Sequence, residues 1–170
     1  HPLIELEISS TDRQVDLLAE GFDCVLRVGA QPDQSVVARL LCSMPMINCA
    51  SAAYLKRHGV PRTLADLAHH QLVHYVRPLG SRSPGFEYVQ GNKVHRLPMA
   101  GRVTVNSTDA YRAACIGGFG LTQVPALGIH DQLASGELVA VLPDYPAPAL
   151  DVSLLYAGQR HLPLRVRVFM

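Results

Sequence analysis

Five residues stand where the backbone itself offers hydrogen-bond donors: Thr11, Arg27, Asn106, Ser107 and Thr108. Each falls where a predicted strand meets a loop or a predicted helix begins. Such places combine N–H groups that lack intrahelical partners with the positive end of a helix dipole, which suits a carboxylate or another small anion. A plainer reading stands beside it, in which Thr11 and Ser107 only cap their helices and Arg27 only pairs with a surface acid. The residue types allow both.

Other combinations lead elsewhere. His69, His70 and His74 lie close in sequence, but histidines at a helix end are favoured there by the dipole, and no metal site is expected. Gly117, Gly118 and Gly120 follow a helical pattern and precede an apolar one. A phosphate loop needs the opposite order, so these glycines read as a helix stop. Ser107 with Asp109 and a histidine would make a hydrolase set, yet no GxSxG turn is present and an acid in a helix first turn is explained by the dipole. With no convergent acid, base and nucleophile, the sequence does not read as an enzyme and calls for no cofactor.

Two stretches must position the anion-favouring residues. In TDRQVDLLAEGFDCVLRVG, Thr11 and Gln14 form a capping box, Val15, Leu18 and Ala19 share a helix face, and Gly21 ends the helix. Residues 22–28 then suit a strand buried on both faces, as in a parallel α/β sheet, with Arg27 and Gly29 at its C-terminal end. The same order returns later: Val103 and Val105 read as strand, Asn106 and Ser107 as cap, and Ala110, Ala113, Ala114 and Gly117 as a small-residue helix face. Residues 119–124 form the next strand. Two such units predict two α/β lobes.

Around them, residues 3–9 alternate as an edge-like strand and residues 36–42 form another. Gln31, Pro32 and Asp33 make a turn. Ser51 caps a short helix ended by Gly59, and Thr63 with Asp66 opens another as a capping box. Residues 72–76 are a short strand and 77–85 an exposed loop. Gly91 and Asn92 join strands 86–90 and 93–98 as a two-residue hairpin. Residues 125–133 are helical, 138–142 and 152–156 are strands, and 162–170 open a final helix.

The 15 basic and 14 acidic residues are scattered, giving a net charge of +1, so this chain is a poor nucleic-acid binder by electrostatics. No apolar run is long enough to span a membrane, and the first residues show no charged segment followed by an apolar core. Cys24, Cys42, Cys49 and Cys115 have no CxxC spacing and fall mostly in apolar patterns. They read as buried reduced thiols of a cytoplasmic protein.

The runs EGFDCVLRVG, VVARLL, CASAAYLKRHGVPRTLADLAHHQLV and GGFGLTQVPALGIHDQLASGELVAVLPDY, in that order, resemble the effector-binding domain of LysR-type transcriptional regulators through nearly the whole chain. The resemblance implies an α/β, two-lobed fold like that of type 2 periplasmic-binding proteins, with two crossovers near residues 48–51 and 151–156. It implies a small effector bound between the lobes, a homodimer or dimer of dimers, and DNA contact only through a winged helix-turn-helix outside this chain. The family's effector-binding positions match Ser10 and Thr11, Arg27, and Asn106, Ser107 and Thr108. On this reading lobe one is 1–48, lobe two is 49–150, and 151–170 returns to lobe one. The strand and helix that precede residue 3 in the family are absent, leaving lobe one incomplete. The alternative on the same fold is a periplasmic-type solute-binding protein for uptake.

Overall fold

Prolines and glycines punctuate the apolar runs, and the elements form between them. The computed structural model describes residues 4–13, 15–29, 36–158 and 163–169. In chain order the elements are β1 (Cys24–Val28), β2 (Val36–Met44), β3 (Met46–Ser51), α1 (Ala52–His58) and a 3₁₀ helix (Leu64–His69). Then come β4 (His74–Tyr75), β5 (Phe86–Gln90), β6 (Lys93–Leu97), β7 (Thr104–Val105), α2 (Thr108–Ile116) and β8 (Thr122–Pro125). A second 3₁₀ helix (Ala126–Ile129), α3 (His130–Ala134), β9 (Leu138–Ala140), β10 (Leu150–Ala157) and α4 (Leu164–Phe169) complete the chain. They gather into two compact units, one from the described residues of 1–43 and 150–170, the other from 44–149.

The first unit is a three-stranded sheet in the order β1-β10-β2. β1 runs antiparallel to β10, in register from Cys24 opposite Tyr156 to Val28 opposite Val152. Arg165 on α4 forks onto the Asp23 carboxylate through Nε at 2.9 Å and Nη2 at 2.8 Å, and that pairing holds the Asp23 carboxyl below its ordinary range. Three expectations are corrected here. Residues 4–10 form no strand, and Ile8 is 84% exposed. Among the described residues no strand lies beside them, so their alternation has no ladder to join.

The stretch from Thr11 is no helix either. Gln14, the second half of its expected capping box, lies outside the described residues, as does the expected turn at residues 31–33. Asp16 instead accepts from the backbone N–H groups of Leu18 (3.1 Å) and Ala19 (3.0 Å), capping a single turn that ends at Gly21, where φ is +74°. A carboxylate inside the stretch outcompetes the threonine at its start. Finally, β1 is not buried on both faces of a parallel sheet. Its neighbour is antiparallel and Leu26 is 66% exposed.

In the second unit β3 is central, antiparallel to β8 on one side and β9 on the other. The two-residue period of a strand divides its side chains between two cores. Cys49 packs with Val73, Tyr111, Ala114, Cys115 and Leu138, on the side of α2. Ala50 packs with Tyr54, Leu55, Leu67, Phe86 and Leu121, on the side of α1. The expected cap at Ser51 is present, its Oγ accepting from Tyr54 N at 3.3 Å. So is the second, where the Asp66 carboxylate accepts from Thr63 N at 2.8 Å and Arg62 N at 2.9 Å, although the segment it opens is 3₁₀.

The hairpin forms as expected, with Gln90 opposite Lys93 and Gly91 at φ +61°, the conformation a type II′ turn asks of its first central residue. The strand expected from residue 119 begins at Thr122, after a single parallel bridge between Leu121 and Leu72. Phe119 is exposed. Gly120 is required just before that bridge, because a Cβ there would lie 2.5 Å from the Gln71 carbonyl oxygen.

Two buried or half-buried amides join these parts. Asn48 Nδ2 donates to the carbonyls of Leu142 (3.2 Å) and Tyr145 (2.8 Å), and its Oδ1 accepts from Gln123 Nε2 at 2.8 Å. Gln123 also donates to Glu87 O (2.7 Å) and accepts from Glu87 N (2.9 Å), completing the edge strand β5 as a neighbouring backbone would. Replacing Asn48 by alanine removes three hydrogen bonds, among them the one to the Tyr145 carbonyl, while Leu142 O keeps Tyr145 N and Gln123 keeps Glu87. We expect a loss of about 3 kcal/mol, read from the denaturant midpoint at unchanged m-value.

His70 supplies a pH dependence. It is 4% exposed, with Nδ1 3.2 Å from the Tyr54 hydroxyl, which also accepts from Gln71 N at 2.8 Å. Burial, helped by His58 and His69 and opposed by Asp66, holds its pKa below 6.5. The unfolded chain therefore binds the proton more readily, and stability is greatest above 6.5 and falls as pH drops through that value. Replacing His70 by glutamine should reduce this slope in melts taken across the range, with half-buried His74, shifted the same way by burial, keeping a remainder.

Candidate functional site

In the second unit the expected anion-favouring residues are contiguous. Strand β7 pairs in parallel with β4, and the chain leaves its C-terminal end directly into Asn106, Ser107 and α2. This is the strand-to-helix passage at which α/β sheets present ligands. Ser107 is the N-cap: its backbone is extended (φ −130°, ψ 146°) and its Oγ accepts from Ala110 N at 3.2 Å, while its carbonyl accepts from Tyr111 N at 3.0 Å. Asn106 and Thr108 are exposed and Ser107 is half-buried. Asp109, one residue into the helix, meets Arg112 at 3.1 Å. Arg112 partly offsets the one acidic charge in this first turn.

In the first unit Thr11 and Arg27 come together through a third residue. Thr11 Oγ1 accepts from Arg13 N at 3.3 Å, and the Arg13 carbonyl accepts from Arg27 Nη1 at 3.2 Å. Arg13 itself forks onto Glu20 at 3.1 and 2.7 Å, which lowers the Glu20 pKa. Hydrogen-bonded loop segments over residues 11–13 and 15–21 thus stand where the helix was expected, and the guanidinium of Arg27 is anchored to Arg13 from a half-buried position opposite Ser153 on β10. Ser10 is exposed just before this loop. Arg13, Asp16 and Glu20 are the residues that the sequence reading missed. Their signal was an acid and a base spaced through a short stretch in which Asp16 is itself a strong cap former.

The residues set aside earlier also have places. His70 packs on Tyr54, and His74 Nδ1 is 2.9 Å from Ser83 Oγ. Gly117 is the C-cap of α2, followed by Gly118 at φ +76°. Among the described residues no helix is long and apolar enough to cross a membrane. The cysteines divide: Cys49 and Cys115 are buried as expected, Cys24 is half-buried and Cys42 is exposed. Cys42 departs from the expectation because, among the described residues, neither face of β2 is covered over residues 37–43.

The family model for the LysR substrate binding domain matches residues 1–170. The chain belongs to this family. It is 45% identical over 170 residues to the HTH-type transcriptional regulator YhjC of Escherichia coli K12, covering all of this chain and 57% of that protein. The full-length structure of the Vibrio cholerae virulence activator AphB, a member of the LTTR protein family, matches with a TM-score of 0.79 at 29% identity, over 99% of this chain and 57% of that one. The regulatory domain of AphB from Vibrio vulnificus matches with a TM-score of 0.72 at 32% identity, over 97% and 79%.

The chain therefore spans little more than half the length of YhjC. Its α/β fold is the periplasmic-binding-protein-like fold of LysR-type regulatory domains, and the family is one of transcriptional regulators, not of enzymes. The relatives do not favour the uptake-protein alternative. Within this LysR domain, replacing Ser107 by alanine removes the cap of α2. It should cost about 1 kcal/mol of stability in denaturant melts, whereas threonine at that position should retain most of it.

Proposed function

We propose that this domain senses a small anionic metabolite for a bacterial LysR-type regulator. The residues we propose would meet it are Ser10, Thr11, Arg27, Asn106, Ser107 and Thr108. The observation that carries the reading is the capped start of α2 at the C-terminal end of a parallel strand. First-turn N–H groups, a hydroxyl and the helix dipole converge there on one kind of ligand, an anion. Arg27 adds a planar charged donor, its guanidinium held through Nη1 by the Arg13 carbonyl.

The rest of the mechanism follows from linkage. An effector that binds one arrangement of the units better than another shifts their populations, and a helix-turn-helix domain elsewhere in the protein reports the shift on DNA. We place the protein in the cytoplasm as a homodimer or dimer of dimers, contacting DNA only through that other domain. Its lobes would be 1–48 with 151–170, and 49–150.

The test is a thermal-shift screen of the full-length protein against small carboxylates and their neutral amides. We expect at least one carboxylate to raise Tm where its amide does not. Replacing Arg27 by alanine should weaken that carboxylate about tenfold, as for loss of one charge-assisted hydrogen bond. Equal affinity in the variant would remove Arg27 from the site. Stabilisation by neutral compounds alone would sink the anion reading.

A further inference from the structure

The two fully buried cysteines meet each other. Cys49 Sγ and Cys115 Sγ lie 3.9 Å apart, the first on central strand β3 and the second in the last turn of α2. Their exposures are 0% and 1%. Thr122 Oγ1 on β8 is 3.4 Å from Cys49 Sγ. The surrounding core is Val73, Tyr111, Ala114, Val124, Ile129 and Leu138. Nothing in the effector reading uses this pair.

We propose that Cys49 and Cys115 form a dithiol that hydroperoxides convert to a disulfide, clamping α2 to the centre of the sheet. Bond formation draws the sulfurs from 3.9 Å to about 2.05 Å, a movement of about 1 Å for each. The product is neutral, which matters in a core with no charged member.

The chemistry balances with one hydroperoxide per pair. The Cys49 sulfur attacks the peroxide oxygen, the O–O bond breaks, and an alcohol (water, for hydrogen peroxide) leaves with the thiol proton. The Cys115 sulfur then displaces the sulfenic oxygen of Cys49, which departs as water with the second thiol proton. Two S–H bonds are lost, one S–S bond forms, and two electrons pass to the peroxide. Cys49 is the attacking sulfur because hydrogen bonds from the Cys115 thiol and the Thr122 hydroxyl favour its thiolate, holding it below the ordinary thiol range against the opposing effect of burial. Burial makes the first step slow, gated by local opening of α2 from the sheet. Cys49 and Cys115 are 66 positions apart, so the closed loop is a long one and the disulfide restrains the unfolded chain and raises Tm.

The test uses the full-length wild-type protein and hydrogen peroxide. The protein is incubated until exposed Cys42 has fully reacted, unfolded in an alkylating agent and peptide-mapped without reduction. We expect a peptide pair joined through Cys49 and Cys115, two hydrogen atoms lighter than the reduced peptides. A Tm raised by several degrees and restored by dithiothreitol should accompany it. Recovery of Cys49 and Cys115 as alkylated thiols, or as separate sulfinic acids, would overturn the proposal. The outcome is independent of whether α2 meets an effector.

Discussion

The second unit depends on a polar contact inside its sheet. Asn48 sits on the central strand β3, where an apolar side chain would leave the Tyr145 carbonyl without the amide it meets and the Leu142 carbonyl with only Tyr145 N. Its amide donates to both and accepts a third bond from Gln123, which holds the backbone of Glu87 on the hairpin. Three segments distant in sequence are thereby set against one strand. Hydrogen bonds of this kind contribute modestly when made and cost more when broken, so they select one arrangement rather than drive collapse. Collapse belongs to the two apolar cores on either side of β3.

What the sequence made legible was local. The cap at Ser51, the Asp66 box, the Gly91 hairpin and the Ser107 cap each rest on interactions within a few residues, and each is present. The alternation before Thr11 and the apolar run at β1 depend on which strand lies alongside, a non-local matter that periodicity cannot read. The helix expected from Thr11 failed for another reason. Asp16, inside the stretch, bonds the backbone two and three residues ahead and turns the chain early. Asn48 did carry a signal: it is a polar residue inside the apolar run of β3, and a buried polar group implies a partner.

The candidate site was half legible in the same way. Ser107 is identified by its own cap geometry, and its place after a parallel strand follows from the alternation of strand and helix. Arg27 was found as a charge at a strand end. Its partner, the carbonyl of Arg13, was beyond reach because it belongs to a loop rather than a helix. The family match then changes what such features mean. A capped helix start is common in proteins, and the role proposed for this one draws on the regulatory-domain family to which the chain belongs.

The division of the chain has a consequence for its synthesis. Residues 44–149 close on themselves, while β10, which lies between β1 and β2, comes only afterwards. At ribosomal rates β1 and β2 emerge roughly ten seconds before the strand that pairs them. By the end of that interval the second unit has all of its own strands, while β1 and β2 still lack β10. Nascent β1 and β2 expose open edges bearing Leu26, Leu40 and Leu41, the form of chain to which holding chaperones bind and from which strand-swapped aggregates grow.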